Sequence, residues 1–212
     1  MADNFVITIA RGFGSGGKQI ASQVAKDFGI HCYENRILTL AAEKSGYDRT
    51  RFLEADERLV GNALVNSLKS LPRSIKPKPE EKRFVSDMYL YECEADIIRE
   101  LADTESCVIV GKCADHVLKN HKNVFSFYIE APREFCLHRI MDRMGVSEPE
   151  AHRLISKTDK YRADYYKYYT GGNYWTNPIN YDMTLNSDRV GIEECILTIE
   201  NYVKMKMNKE IL

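Results

Sequence analysis

Neither sign of charge is in excess along this chain. Its 212 residues carry 30 Lys and Arg against 31 Asp and Glu, a formal net charge of −1. Proteins organised around DNA, RNA or an anionic membrane surface ordinarily show a pronounced basic surplus, so those partners are set aside. The sequence also lacks any run near the roughly eighteen apolar residues that a bilayer-crossing helix needs. Met1-Ala2-Asp3-Asn4 leads straight into an apolar segment without a basic, apolar leader, and the expectation is a cytoplasmic protein. Six cysteines (Cys32, Cys93, Cys107, Cys113, Cys136 and Cys195) make neither a C-x-x-C pair nor a clustered framework, which reads as reduced core thiols. His116 and His121 stand five apart, on different sides of a helix, so no zinc site is expected. There is no internal repeat. Proline is scarce, and three of the six prolines fall together at 72, 77 and 79.

What is present begins near the N-terminus. Phe5 to Ile9 is a β-branched apolar run, and after Arg11 it breaks into Gly12-Phe13-Gly14-Ser15-Gly16-Gly17-Lys18-Gln19 before Ile20, Val24, Ala25 and Phe28 resume at helical spacing. A strand, a glycine-rich loop and a helix in succession suit an anion. The glycines allow amide groups to converge, and the helix contributes its positive N-terminal end. Lys18 adds a full charge. Gly12-x-x-x-x-Gly17-Lys18 is the phosphate-binding P-loop pattern, with Gln19 in place of the Ser or Thr that would reach Mg²⁺. Gly12-x-Gly14-x-x-Gly17 also satisfies a dinucleotide fingerprint, with Glu34 as its ribose acid. The loop alone leaves both open.

Further along, Ile30 to Tyr33 reads as a second strand and Arg36 to Ala42 as a helix ending near Gly46. Residues 46–86 are expected to form an acceptor-side insertion, helical and then mobile, because the prolines of 71–83 cannot continue a helix. Arg73, Lys76, Lys78 and Arg83 lie there. Val85 to Leu101 restores helix. Cys107 to Gly111 is an apolar strand of the kind buried on both faces, and it places Lys112 at its carboxyl end, where open α/β sheets bind ligands. Val124 to Glu130 is another strand, followed by Pro132 at a helix start, with Arg139 and Arg143 on one face of that helix. In 146–173, Arg153, Lys157 and Lys160 form a basic stripe, Asp159 and Arg162 can pair, and tyrosines crowd ahead of Gly171-Gly172; a lid is expected. Tyr181 to Asn186 and a helix from Ile192 to Met207 close the chain. Five strands alternating with helices imply a three-layer α/β/α sandwich with a five-stranded parallel sheet, in a single domain spanning 1–212.

Five stretches in order, Ile9 to Lys18, Cys107 to Asp115, Leu137 to Arg143, Asp159 to Ala163 and Asn180 to Asn186, resemble the cytidylate-kinase-like proteins of the P-loop nucleoside-monophosphate kinase superfamily. The resemblance implies transfer of the γ-phosphoryl group of ATP, with Mg²⁺, to a nucleoside monophosphate, CMP or dCMP being the family default. It places Gly12, Gly14, Ser15, Gly16, Gly17 and Lys18 around the phosphates and Arg139 against adenine. Arg143 and Arg162 then meet the moving charge while Asp159 orients Arg162. On the acceptor side it implies Lys112, Arg36 and Asp182. Gln19 would offer an amide oxygen to Mg²⁺, directly or through water. Lys112 stands where the family usually has arginine and lacks that residue's bidentate fork. Small-molecule nucleotides are the partners this implies, for a monomer or homodimer. The alternatives are a nucleotide-binding protein with little turnover and a kinase of a non-nucleotide small molecule.

Overall fold

The computed structural model describes residues 4–46, Thr50 and 87–209. Its centre is β1 (Val6–Arg11), in which Ile7 and Ile9 point to one face of the sheet and Val6, Thr8 and Ala10 to the other. The remaining strands are β2 (His31–Tyr33), β3 (Cys107–Val110), β4 (Val124–Glu130) and β5 (Met183–Asn186). All pairings are parallel, in the order β2-β3-β1-β4-β5. β1 therefore has β3 on one side and β4 on the other, so the chain moves outward first one way and then the other. The segment after β1 emerges at that reversal.

The helices cover both faces. α1 (Gly17–Phe28) and α8 (Ile192–Lys209) bury Ile20, Val24, Cys195, Ile199 and Val203 against Ile7, Ile9, Val108, Val110, Phe127 and Ile129. On the other face α2 (Arg36–Ser45) and α3 (Asp87–Thr104) pack Ile37, Leu38, Ile98 and Leu101 onto Tyr33, Cys107 and Ile109. β3 is buried at every residue, as its unbroken apolar run requires. Three short or peripheral helices follow: α4 (Ala114–Val117), α5 (Arg133–Met144) and, after the strands, α7 (Ser187–Val190). Between α5 and β5 runs α6 (Glu148–Tyr169), a single continuous helix of 22 residues.

The expected sandwich is thus the observed one. Of the expected insertion 46–86, all but Gly46 and Thr50 lies outside the described residues. The segment 146–173, expected as a lid, holds α6 and its flanks, with Gly171 and Gly172 just beyond the helix end. Four of the six cysteines are buried and Cys93 is half-buried, but Cys32 is exposed because β2 is an edge strand; all six are free thiols. Among the described residues no helix is long and apolar enough to cross a membrane.

Phe127 is fully buried between β1 and α8, with its ring edge-on to Tyr202. Replacing Phe127 by Ala should lower unfolding free energy by about 3–5 kcal/mol, measured by urea titration, since the vacated volume cannot be refilled by neighbours on three elements.

Candidate active site

Residues 12–16 link β1 to α1 and wrap around the end of the sheet. Gly14 and Gly16 have φ of 96° and 85°, a region in which side chains with a Cβ are strained. Their N–H groups meet no protein acceptor among the described residues. The loop is braced from outside. Ser15 Oγ donates to the Gly12 carbonyl at 2.9 Å, and Ser187 Oγ at the start of α7 donates to the Ser15 carbonyl at 2.5 Å. Ser15 is therefore buried within the loop, its side chain turned away from the cleft, while Gly12, Gly14, Gly16, Gly17, Lys18 and Gln19 line it.

That cleft has a volume of about 840 Å³ and lies at the carboxyl ends of β1, β2 and β3. Arg139 and Arg143 of α5 and Arg162 of α6 line it together with Lys18. α6 is fastened to the loop by its backbone: Asp159 accepts the Phe13 N–H at 2.8 Å, and Arg162 donates to the Arg11 carbonyl at 2.8 Å. Asp159 and Arg162 are 3.5 Å apart, the pairing that their i, i+3 spacing suggests. Burial pushes the Asp159 carboxyl up against the pull of Arg162. Burial, with Arg11 adding to it, likewise pushes the Arg162 guanidinium down to about 9. Arg162 also lies over the Phe13 ring, 5.7 Å from its centroid.

Two residues outside the expected set complete this end. Glu34, just after β2, meets Lys18 Nζ at 2.5 Å and Arg11 at 3.0 Å, so one carboxylate bridges the loop lysine and the last residue of β1. Burial works to raise that carboxyl, but Arg11 and Lys18 outweigh it and leave it below its ordinary value. The Arg11 guanidinium occupies the space where a side chain at Gly111 would stand. A hint lay in the sequence, since Glu34 was conspicuous as a ribose acid, but its partners come from two other elements.

Gly111, Lys112 and Cys113 are consecutive left-handed residues, with φ of 73°, 59° and 52°. For the two that carry a Cβ this costs about 1–2 kcal/mol each. The turn sends Lys112 inward, where Nζ stands 3.8 Å from Glu94 of α3 and both side chains are under a tenth exposed. Asp115, Tyr161, Tyr165, Tyr166 and Trp175 line the same end of the cleft. Asp115 is buried, and its Oδ2 accepts from Tyr166 at 2.6 Å. Burial raises its carboxyl to about 6, against hydrogen bonds from Tyr166 and from backbone N–H groups.

Some expected residues are placed elsewhere. Asp182 lies at the opposite end of β5, where it accepts from the Ser126 N–H at 2.7 Å and from Tyr202 at 2.9 Å, bonds that fix the β4–β5 register. Arg36 is exposed at the start of α2 and does not line the cleft. Arg153 and Lys160 turn to solvent and pair with Glu150 and Asp164. Gln19 lines the cleft, but its Oε1 accepts from Arg139 at 2.9 Å. An amide oxygen already held by a guanidinium is a poor donor to a dication. Among the described residues no group of three or more His, Cys, Asp or Glu is disposed to hold a metal. These residues do not fit a Mg²⁺ held by the protein itself.

A parallel 2-3-1-4-5 sheet, helices on both faces, and a glycine loop ending in lysine at the central strand define a P-loop kinase fold. The chain belongs to the cytidylate kinase-like family, whose model matches residues 6–189. No curated protein matches. Among solved structures it is similar to an uncharacterized protein from Eubacterium ventriosum, at 24% identity and TM-score 0.69, covering 95% of this chain and 99% of that one. It is also similar to the shikimate kinase from Bacteroides thetaiotaomicron, at 13% identity and TM-score 0.53, over 94% and 98% of the two chains. A gluconokinase from Sinorhizobium meliloti aligns at 10% identity and TM-score 0.50, over 97% and 99%.

The raised Asp115 carboxyl has a consequence for stability. Because the folded state binds this proton more tightly than the unfolded chain, Asp115 contributes stability below its ordinary value of 3.8 that is lost as pH rises through about 6. Asn can still accept from Tyr166, so Asp115→Asn should melt higher relative to the parent at pH 7.5 than at pH 4.5, by differential scanning calorimetry.

Proposed function

We propose that this chain transfers the γ-phosphoryl group of ATP to a small-molecule acceptor bound at the Lys112 end of the cleft. The observation that carries the reading is convergence: the loop, Lys18, Arg139, Arg143 and Arg162 come from three separate stretches of sequence and line one cleft. Phosphoryl transfer asks little covalent work of a protein. It needs donor and acceptor in line, the moving charge matched by fixed cations, and water kept out. Here the N–H groups of Gly14 and Gly16 and the head of α1 receive the β- and γ-phosphates. Lys18 turns from Glu34 to the phosphate oxygens, and Arg143 and Arg162 face the charge that develops as the bond to the leaving ADP opens. Arg139 offers a planar group to the adenine. Mg²⁺ belongs to this reading as the ion that ATP carries on its own phosphates.

The family's description supplies a nucleoside monophosphate as the finer reading of the acceptor, with Lys112 at its phosphate. The names of two structural neighbours supply shikimate or gluconate instead. The test is acceptor-dependent release of ADP from Mg-ATP, followed by a coupled assay across monophosphates and non-nucleotide acceptors. Lys18→Ala should reduce kcat by roughly 10²–10³-fold with the fold intact by circular dichroism; an unchanged rate would remove Lys18 from the reaction.

A further inference from the structure

The acceptor end of the cleft differs in charge from the donor end. On the donor side Lys18, Arg139, Arg143 and Arg162 outnumber the carboxylates of Asp142 and Asp159 that accompany them. Beyond Lys18 the excess of cations ends, since Arg11 and Lys112 there stand beside Glu34 and Asp115. Lys112 is faced by the buried carboxylate of Glu94, which also accepts from Tyr165 at 3.3 Å. Asp115 is a buried acid on the wall itself, and the half-buried Glu34 stands at the boundary between the two ends, bonded to Arg11 and Lys18. Between them stand tyrosine rings and the indole of Trp175. A dianionic phosphate brought to this wall would find Lys112 already faced by Glu94 and would approach Asp115, in a cleft where like charges repel more strongly than in water. Carboxylates and phenolic oxygens are instead acceptors and partners for hydroxyl groups, and the aromatic faces suit the apolar side of a ring.

We propose that the phosphate acceptor of this protein is an alcohol, a compound that reacts through a hydroxyl and brings no phosphate of its own, and that Glu34 takes the hydroxyl proton. This rests on the phosphotransfer reading above. An alcohol, unlike a phosphate, must lose a proton on attack; of the donor-side carboxylates, Asp159 is held by the Phe13 N–H and Arg162 and Asp142 is exposed. Glu34 is the carboxylate that touches the loop lysine and faces the acceptor end. When Lys18 moves to the phosphates, Glu34 keeps Arg11 at 3.0 Å and has one oxygen turned to the incoming hydroxyl. The step balances. The alcohol oxygen bonds to the γ-phosphorus as that atom's bond to the β–γ bridging oxygen breaks, ADP leaves with the electron pair, and the proton passes to Glu34. In a loose transition state the proton is lost late, so a carboxylate of low basicity suffices. Asp115 and Tyr166 hold the neighbouring hydroxyls.

The test is ADP release from Mg-ATP by the full chain with four acceptor arms: ribonucleosides, neutral sugars and polyols, amino alcohols, and nucleoside monophosphates. Release with any of the first three and not with the monophosphates supports the proposal and identifies the source of the alcohol. Release with monophosphates alone overturns it while leaving phosphotransfer standing. No release in any arm, with ATP still bound in an equilibrium titration, overturns phosphotransfer and this inference with it. With the productive alcohol, Glu34→Gln should lower kcat by roughly 10²-fold or more and leave the ATP KM within a few-fold, while Glu34→Asp recovers part of the rate. A kcat within threefold of the parent in Glu34→Gln, or a loss confined to ATP KM and thermal stability, would show that Glu34 only places Lys18.

Discussion

Two hydrogen bonds to the backbone of one loop hold this site together. Asp159 receives the Phe13 N–H and Arg162 gives to the Arg11 carbonyl, so α6 is tied to the strand end it covers. That tie shapes the cleft: it draws Arg162 out of solvent towards the glycine loop, and it brings Tyr161 beside it, with Tyr165 and Tyr166 on the next turn, to the Lys112 end. The two side chains carry opposite penalties for being buried. Each offsets part of the other's, since the carboxylate lies 3.5 Å from the guanidinium and both are bonded to peptide groups. The rest of α6 is held by its apolar face, Ala151 and Ile155 against α5, and by Tyr166 on Asp115 towards its C-terminal end.

The cleft is arranged as two halves of different polarity meeting at Glu34. Its double engagement with Arg11 and Lys18 links β1, β2 and α1 through charge alone. Arg11 in turn fills the space above Gly111, so the loop after β1 and the turn after β3 are fitted to one another. Lys112 is placed by backbone conformation as much as by its own rotamer, because three consecutive left-handed residues leave the chain only one way to turn. The cation-lined end of the cleft and the end lined by Lys112, Asp115 and tyrosines are thereby built on the same two strands.

The parts of this arrangement that were legible from sequence are those with local causes. The β-branched run, the glycines and the following 3.6-residue period announce β1, the loop and α1. The unbroken apolar run of Cys107 to Val110 announces a strand buried on both faces, and hence the position of Lys112. What periodicity cannot tell is which face of a helix turns inward. Arg153 and Lys160 share a stripe as their spacing requires, but Ala151, Leu154, Ile155 and Thr158 take the inner face and leave those cations to solvent. Asp182 sits in a recognisable motif at the start of its strand rather than the end, and so belongs to sheet register. Arg11, Glu94 and Asp115 gain their meaning only from partners on other elements, some of them dozens of residues away, which no local pattern reports.

The packing of the glycine loop bears on how such proteins diverge. A methyl group at position 12 would strike the Glu130 carboxylate, at position 14 the Cys136 backbone, at position 16 the Ile192 side chain and at position 17 the Arg11 stem. The Glu130 and Ile192 tips could swing aside, but the Cys136 backbone and the Arg11 Cβ cannot, and positive φ at 14 and 16 adds to the demand for glycine whether or not a nucleotide ever binds. A descendant that had abandoned catalysis would therefore keep the same spacing of glycines for steric reasons. The residues free to drift, and so the better record of a lost or altered reaction, are the charged ones on the inner wall: Lys18, Glu34, Lys112 and Asp115.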